Sequence, residues 1–207
     1  MLTQSSARSL VWLFVRSRGP WQQMVYVVAS FIAGLFAVVQ LQGVPLAEDR
    51  TVIRLVWLSC VPGMLAAGLL SPCGTVEEVL PRRPVGAIRL GWVLGVALLP
   101  ILFQVLGQGL LGRSDLIQTS WFSRNHLFML GVSLVASRYL IAAAAWVPGC
   151  LYLLLCWFLG TSDNAGTPRW WALPHYLPDL VVPWILTGAV FGVGAWLQYL
   201  RPAVVER

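Results

Sequence analysis

The 207-residue chain contains no lysine. The loop that cradles nucleotide phosphates needs the lysine of its Gly-Lys-Ser/Thr signature, so this chain hydrolyses no ATP by that route unaided. Acidic residues are scarce, eight in all, and none stands within an apolar run. A proton-coupled carrier is expected to place an acid inside its spans, and an intramembrane hydrolase would need paired groups there. The two histidines, His126 and His175, are too far apart in sequence to read as a metal motif. The four cysteines, Cys60, Cys73, Cys150 and Cys156, form no CxxC pair and read as buried thiols behaving as small hydrophobes. H-E-x-x-H and G-x-S-x-G are both missing. No catalytic residue, metal or cofactor of its own is therefore expected for this chain.

What the chain has is hydrocarbon. Charged residues make up 11 % of it, against roughly 25 % in an ordinary soluble domain. Residues 21–43, 55–70, 90–112 and 180–200 carry no charge at all. A bilayer core of about 30 Å takes about 20 apolar helical residues, because each backbone amide must be satisfied within its own segment. Residues 127–160 add a fifth apolar stretch whose single charge is Arg138. As one helix it would be about 51 Å long, so two crossings with a turn near 139–145 fit better. The predicted fold is all-α: a polytopic integral membrane protein of six transmembrane helices, about 21–43, 55–70, 90–112, 126–141, 144–160 and 180–200. Residues 1–207 then form a single transmembrane domain. Residues 5–18, apolar between Arg8 and the pair Arg16 and Arg18, read as a retained interfacial amphipathic helix ahead of Gly19-Pro20.

The fourteen arginines are scattered at segment ends rather than massed in a basic run, which excludes nucleic acid as the expected partner. In a lipid bilayer, that distribution reports orientation. With both termini in the cytoplasm of a cell (plasma) membrane, nine arginines lie inside and five (Arg50, Arg54, Arg113, Arg124 and Arg169) outside, in line with the positive-inside rule. Arg138 falls near the inner interface, where it can snorkel to water.

Three local patterns stand out. Thr75 and Glu78 have the spacing of a capping box, so a short helix from Val76 to Pro81 is expected on the inner face, followed by Arg82 and Arg83. Gly188 and Gly192 have the small-xxx-small spacing that lets helices approach closely. The outer loop 161–179 carries Trp170, Trp171 and Tyr176, which suit an interfacial aromatic belt.

Arg8 to Arg18 before the first span, the segment from Leu70-Ser71-Pro72 through Glu77 to Arg89, Ser123-Arg124-Asn125-His126-Leu127 through Trp146-Val147-Pro148, and Trp170-Trp171-Ala172-Leu173-Pro174 carry a wider likeness. Together they extend over most of the chain, which resembles the small six-span permease subunits of exporter-type ATP-binding-cassette transporters from high-GC Gram-positive bacteria. The resemblance implies that Thr75, Val76, Glu77 and Glu78, with Arg82 and Arg83 beside them, form a coupling helix against a separate nucleotide-binding ATPase that holds ATP and Mg. It also implies a second permease copy or related permease, an elbow at residues 5–18, an outer re-entrant region at 161–179 and alternating access. A lipophilic or amphipathic cargo is the natural expectation for spans poor in charge. The alternatives are a substrate-binding membrane subunit of a vitamin-uptake system, or a non-transporting membrane immunity or assembly protein.

Overall fold

The computed structural model describes residues 20–39, 58–66, 82–112, 116–141, 144–160, 168–176 and 180–200. All regular elements among them are helical: α1 (Pro20–Val39), a helical segment α2 (58–66), α3 (Arg82–Leu110), α4 (Leu116–Tyr139), α5 (Val147–Leu159), a 3-10 turn (Leu173–His175) and α6 (Val181–Tyr199). Two stretches, Gly86–Leu110 and Val181–Tyr199, are long and apolar enough to cross a bilayer, and Trp21–Leu35 and Val147–Leu159 are shorter apolar helices. The interfacial helix expected at 5–18, the capping-box residues Thr75 to Glu78, and Cys73 lie outside the described residues.

Proline and glycine set the helix ends. Pro84 sits in the first turn of α3, where its missing N–H has no intrahelical partner to lose, and Pro148 occupies the same kind of position in α5. Pro100 lies inside α3 and is fully buried. Gly112, in the turn after α3, takes a φ of +64°, a left-handed conformation that a residue with a Cβ adopts only at a cost.

Helix directions follow from which residues touch. Tyr26 Oη donates to the Val96 carbonyl at 2.6 Å, and Gly34 lies against Gln104, so α1 and α3 run the same way. Gly131 meets Val190 and Phe191, Leu134 meets Gly194, and Gln198 Nε2 donates to Ser137 Oγ at 2.7 Å, so α4 and α6 are also parallel. Gln108 bonds to Gln118 while Ala97 lies near His126, which sets α3 against α4. Phe128 packs on Tyr152 and Ala136 on Ala145, which sets α5 against α4. Met64 next to Cys150 and Cys60 near Cys156 set α2 against α5. Six consecutive helical segments thus alternate in direction.

At the centre stands α4, with fourteen of its 24 residues buried, against five of 19 in α6. The glycines explain how its neighbours come so close. A Cβ on Gly63 would stand 2.7 Å from both the His126 carbonyl oxygen and the Leu130 amide nitrogen, and one on Gly194 would stand 2.7 Å from Leu134 Cβ. Gly188 and Gly192, in contrast, face open space within this chain. The close approach of α6 rests on Gly131 and Gly194 instead, one glycine on each helix. Helix α4 also begins at Leu116, ahead of the span start expected at 126, which converts most of the expected outer loop into helix and carries Arg124 inside.

The exterior is apolar. Leu98, Leu102 and Val105 of α3, Leu151 and Phe158 of α5, and Val182 and Ile185 of α6 are exposed. The interior holds Gln104, Gln118, Arg124, Asn125, His126, Ser133 and Gln198. Water-soluble domains place polar groups the other way.

Candidate functional site

The densest polar assembly lies in the N-terminal half of α4. Arg124, only 1 % exposed, donates from Nη2 to the carbonyls of Leu173 at 3.1 Å and Tyr176 at 2.7 Å. Its Nε and Nη2 also donate to Asn125 Oδ1, at 3.3 and 3.2 Å. Trp121 Nε1 donates to the Pro174 carbonyl at 2.9 Å, and Asn125 Nδ2 reaches the same oxygen at 3.5 Å. From α5, Tyr152 Oη donates to the Trp171 carbonyl at 2.7 Å and accepts from the Leu173 amide at 3.1 Å. Trp121, Arg124 and Asn125, on one face of α4, and one tyrosine therefore hold residues 171–176 against the bundle.

Helix α5 has 13 residues, about 20 Å at 1.5 Å per residue. Residues 168–176 fold back beside it, with Leu173 and Pro174 buried. A short 3-10 turn leaves carbonyl lone pairs unfilled, the Leu173 oxygen taking only the Tyr176 amide within the turn, and a guanidinium with its fork of five donors is suited to collect them. His175, in that turn, has its imidazole pKa lowered from 6.5 by burial, an effect opposed by its hydrogen bond to the Cys156 backbone. Trp170 at the connector's edge is 81 % exposed, as an interfacial aromatic would be.

A second polar stretch follows the α3–α4 contact. Thr119 Oγ1 donates to Gln108 Oε1 at 3.0 Å, and Gln108 Nε2 donates to Gln118 Oε1 at 3.4 Å. His126 is fully buried against the backbone of Val96 and Ala97, which its ring approaches without either nitrogen reaching full hydrogen-bond geometry. Both amide atoms of the buried Gln104 are likewise unsatisfied. Gln104 stands seven residues beyond Ala97 and so shares its helix face.

At the other end of α4 lies a groove of about 590 Å³, lined by Val132, Val135, Ala136 and Tyr139 of α4, by Leu140 and Pro148, and by Ala189, Val190 and Val193 of α6. Its lining is apolar and it opens sideways onto the exterior. Arg138, in the last turn of α4, is exposed.

Of the residues singled out by sequence, Arg82 and Arg83 open α3, Gly188 and Gly192 face outward from α6, and Thr75, Val76, Glu77 and Glu78 lie outside the described residues. Arg124, Asn125, Trp121 and Tyr152 were not singled out as a site. The available signal was the run Ser123-Arg124-Asn125-His126, four polar residues between apolar neighbours. Among the described residues no three His, Cys, Asp or Glu side chains gather as metal ligands, and Cys60, Cys150 and Cys156 are free thiols. The chain matches no protein-family model, no curated protein and no solved structure.

Proposed function

We propose that this chain is a multi-pass membrane protein serving as the permease subunit of an ATP-driven transporter, and that it exports a lipophilic or amphipathic compound by alternating access. One observation carries the membrane reading. Polar side chains line the inside of the bundle around α4, while leucine, valine and phenylalanine cover its outside, an arrangement stable in hydrocarbon and costly in water. Six alternating helical segments fit six crossings with both termini on one side. On that side the positive-inside rule places the α4–α5 turn and the start of α3, with Arg82, Arg83, Arg89 and Arg138.

The transport reading rests on the family resemblance, on the lack of lysine, and on an apolar groove open to the exterior. A chain without a P-loop needs a separate ATPase, which supplies ATP and Mg²⁺ and grips the loop at Thr75 to Glu78. A second six-span unit completes the pathway. Nucleotide binding then shifts the pair between two states by the difference in its affinity for them.

The test is affinity purification of the full chain from native membranes in mild detergent. The expected companion is a P-loop ATPase, lost from the double variant Glu77→Arg, Glu78→Arg while the folded bundle is retained. Transport by the isolated chain in vesicles, with no ATPase present, would overturn the proposal.

A further inference from the structure

Helix α3 carries a break at its centre. The apolar stretch Gly86–Leu110 has its midpoint at Leu98, and Pro100 lies two residues beyond it, fully buried. In a helix the Val96 carbonyl takes the amide of residue 100. Proline has no amide hydrogen to give, and its ring crowds that same carbonyl. Tyr26 supplies the donor from α1: its hydroxyl, on a side chain only 3 % exposed, donates to the Val96 oxygen at 2.6 Å. From α4 the His126 ring faces the backbone of Val96 and Ala97. Two other helices thus attend the one carbonyl whose helical donor the proline removes.

The two halves of α3 are anchored to different neighbours. Ahead of the break, Gly86 rests on Tyr199 of α6, and Val93 shares a cluster with Leu130, Leu134 and Ala195. Beyond it, Gly34 of α1 lies against Gln104, Phe31 meets Phe103 edge-on with ring centroids 5.5 Å apart, and Thr119 at the start of α4 bonds to Gln108. Tyr26 stands on the same helix as Phe31 and Gly34 but bonds the carbonyl at the break, so its hydroxyl ties the first half of α3 to the support of the second. Gly91 and Gly95 weaken the first half. A Cβ on either would meet nothing within 4 Å, so neither glycine serves packing in this chain, and glycine loses more freedom in a helix than alanine does. Leu94, Leu98 and Leu102 are exposed and leave the outer face of the helix unpinned. We propose that α3 is jointed between Val96 and Pro100, and that the Tyr26 hydroxyl is the latch that keeps the joint closed. The joint belongs to the bundle itself and needs neither ATPase nor cargo.

The test is hydrogen–deuterium exchange, read by mass spectrometry on the full chain in detergent, for Tyr26→Phe, Pro100→Ala and the two combined. Tyr26→Phe keeps the ring and removes only the donor. Amides 101–104 should then exchange about tenfold faster, the effect of leaving one buried carbonyl without its partner, while peptides from 128–137 and 186–195 hold their rates. Pro100→Ala restores an amide for Val96, so exchange should fall below that of the parent, and adding Tyr26→Phe should change it by less than about twofold. Gly95→Ala, at an exposed position with room for its Cβ, should slow the same amides about threefold without touching the tyrosine. An equal response to Tyr26→Phe with and without the proline would overturn the latch. Acceleration spread evenly through α4 and α6 would overturn the joint. Should Pro100→Ala fail to fold, the other two variants still decide: exchange at 101–104 that Tyr26→Phe does not raise, or that Gly95→Ala does not lower, overturns the proposal.

Discussion

Replacing Gly131 with alanine tests the central packing most directly. The added Cβ would lie 2.7 Å from the Phe191 amide nitrogen, 2.8 Å from Phe191 Cα and 2.9 Å from the Val190 carbonyl carbon. All three atoms are backbone of α6, so no rotamer change relieves them. Ordinary contact begins near 3.4 Å, and α6 must retreat by about 0.7 Å along its tightest line of contact with α4. Forcing a methyl group into a packed core costs typically about 1–3 kcal/mol. Alanine returns about 0.5–1 kcal/mol through helix propensity. The net expectation is a loss of about 1–2 kcal/mol, which lowers the midpoint by about 2–8 °C in a protein of this size. Scanning fluorimetry in detergent can read this from the eleven tryptophans. The controls are Gly188→Ala and Gly192→Ala, whose Cβ atoms would meet nothing within 4 Å and should leave the monomer unchanged or slightly more stable. A Gly131→Ala protein as stable as the parent, or a Gly188→Ala protein destabilised as much, would refute this account of the α4–α6 contact.

Arg124→Met should leave the Tyr176 carbonyl without its donor and the Leu173 carbonyl with only the Tyr176 amide, at about 1–3 kcal/mol in all, and expose residues 168–176 to limited proteolysis. Arg124→Lys should restore only part of the protection, since an ammonium lacks the planar fork. Tyr152→Phe removes the hydroxyl that bridges Trp171 and Leu173, and should speed cleavage in the same connector while leaving helix content by circular dichroism unchanged. His175 is kept neutral by burial, so the unfolded chain binds its proton first as acid is added. Stability should be flat above about pH 6.5 and fall below it towards the lowered folded-state pKa; His175→Asn should flatten that limb of a thermal-melt series.

The apolar runs made α3 and α6 readable, because an uninterrupted hydrocarbon segment of that length has few other solutions. The start of α4 was not readable in the same way. Spans were bounded at charges, and Arg124 is a charge whose partners are carbonyls 49 and 52 positions away in the chain. Only the folded connector reveals that the guanidinium is solvated by protein. Small-residue spacing does not identify the α4–α6 contact. Gly188-x-x-x-Gly192 has the familiar interval, yet the glycines in close contact are Gly131 and Gly194, one on each helix, and spacing along one helix cannot identify a pair that spans two. Helix α5 falls within residues 144–160, and the connector that folds back beside it depends on contacts distant in sequence.

Two same-direction pairs, α1 with α3 and α4 with α6, lie against each other like two leaves along the α3–α4 contact, where His126 faces the backbone of Val96 and Ala97. A buried polar atom without a partner costs about 1–3 kcal/mol, and both amide atoms of Gln104, on the α3 face that Ala97 shares, are in that state. Parting the leaves by the width of a water molecule would let solvent reach those atoms and remove that penalty.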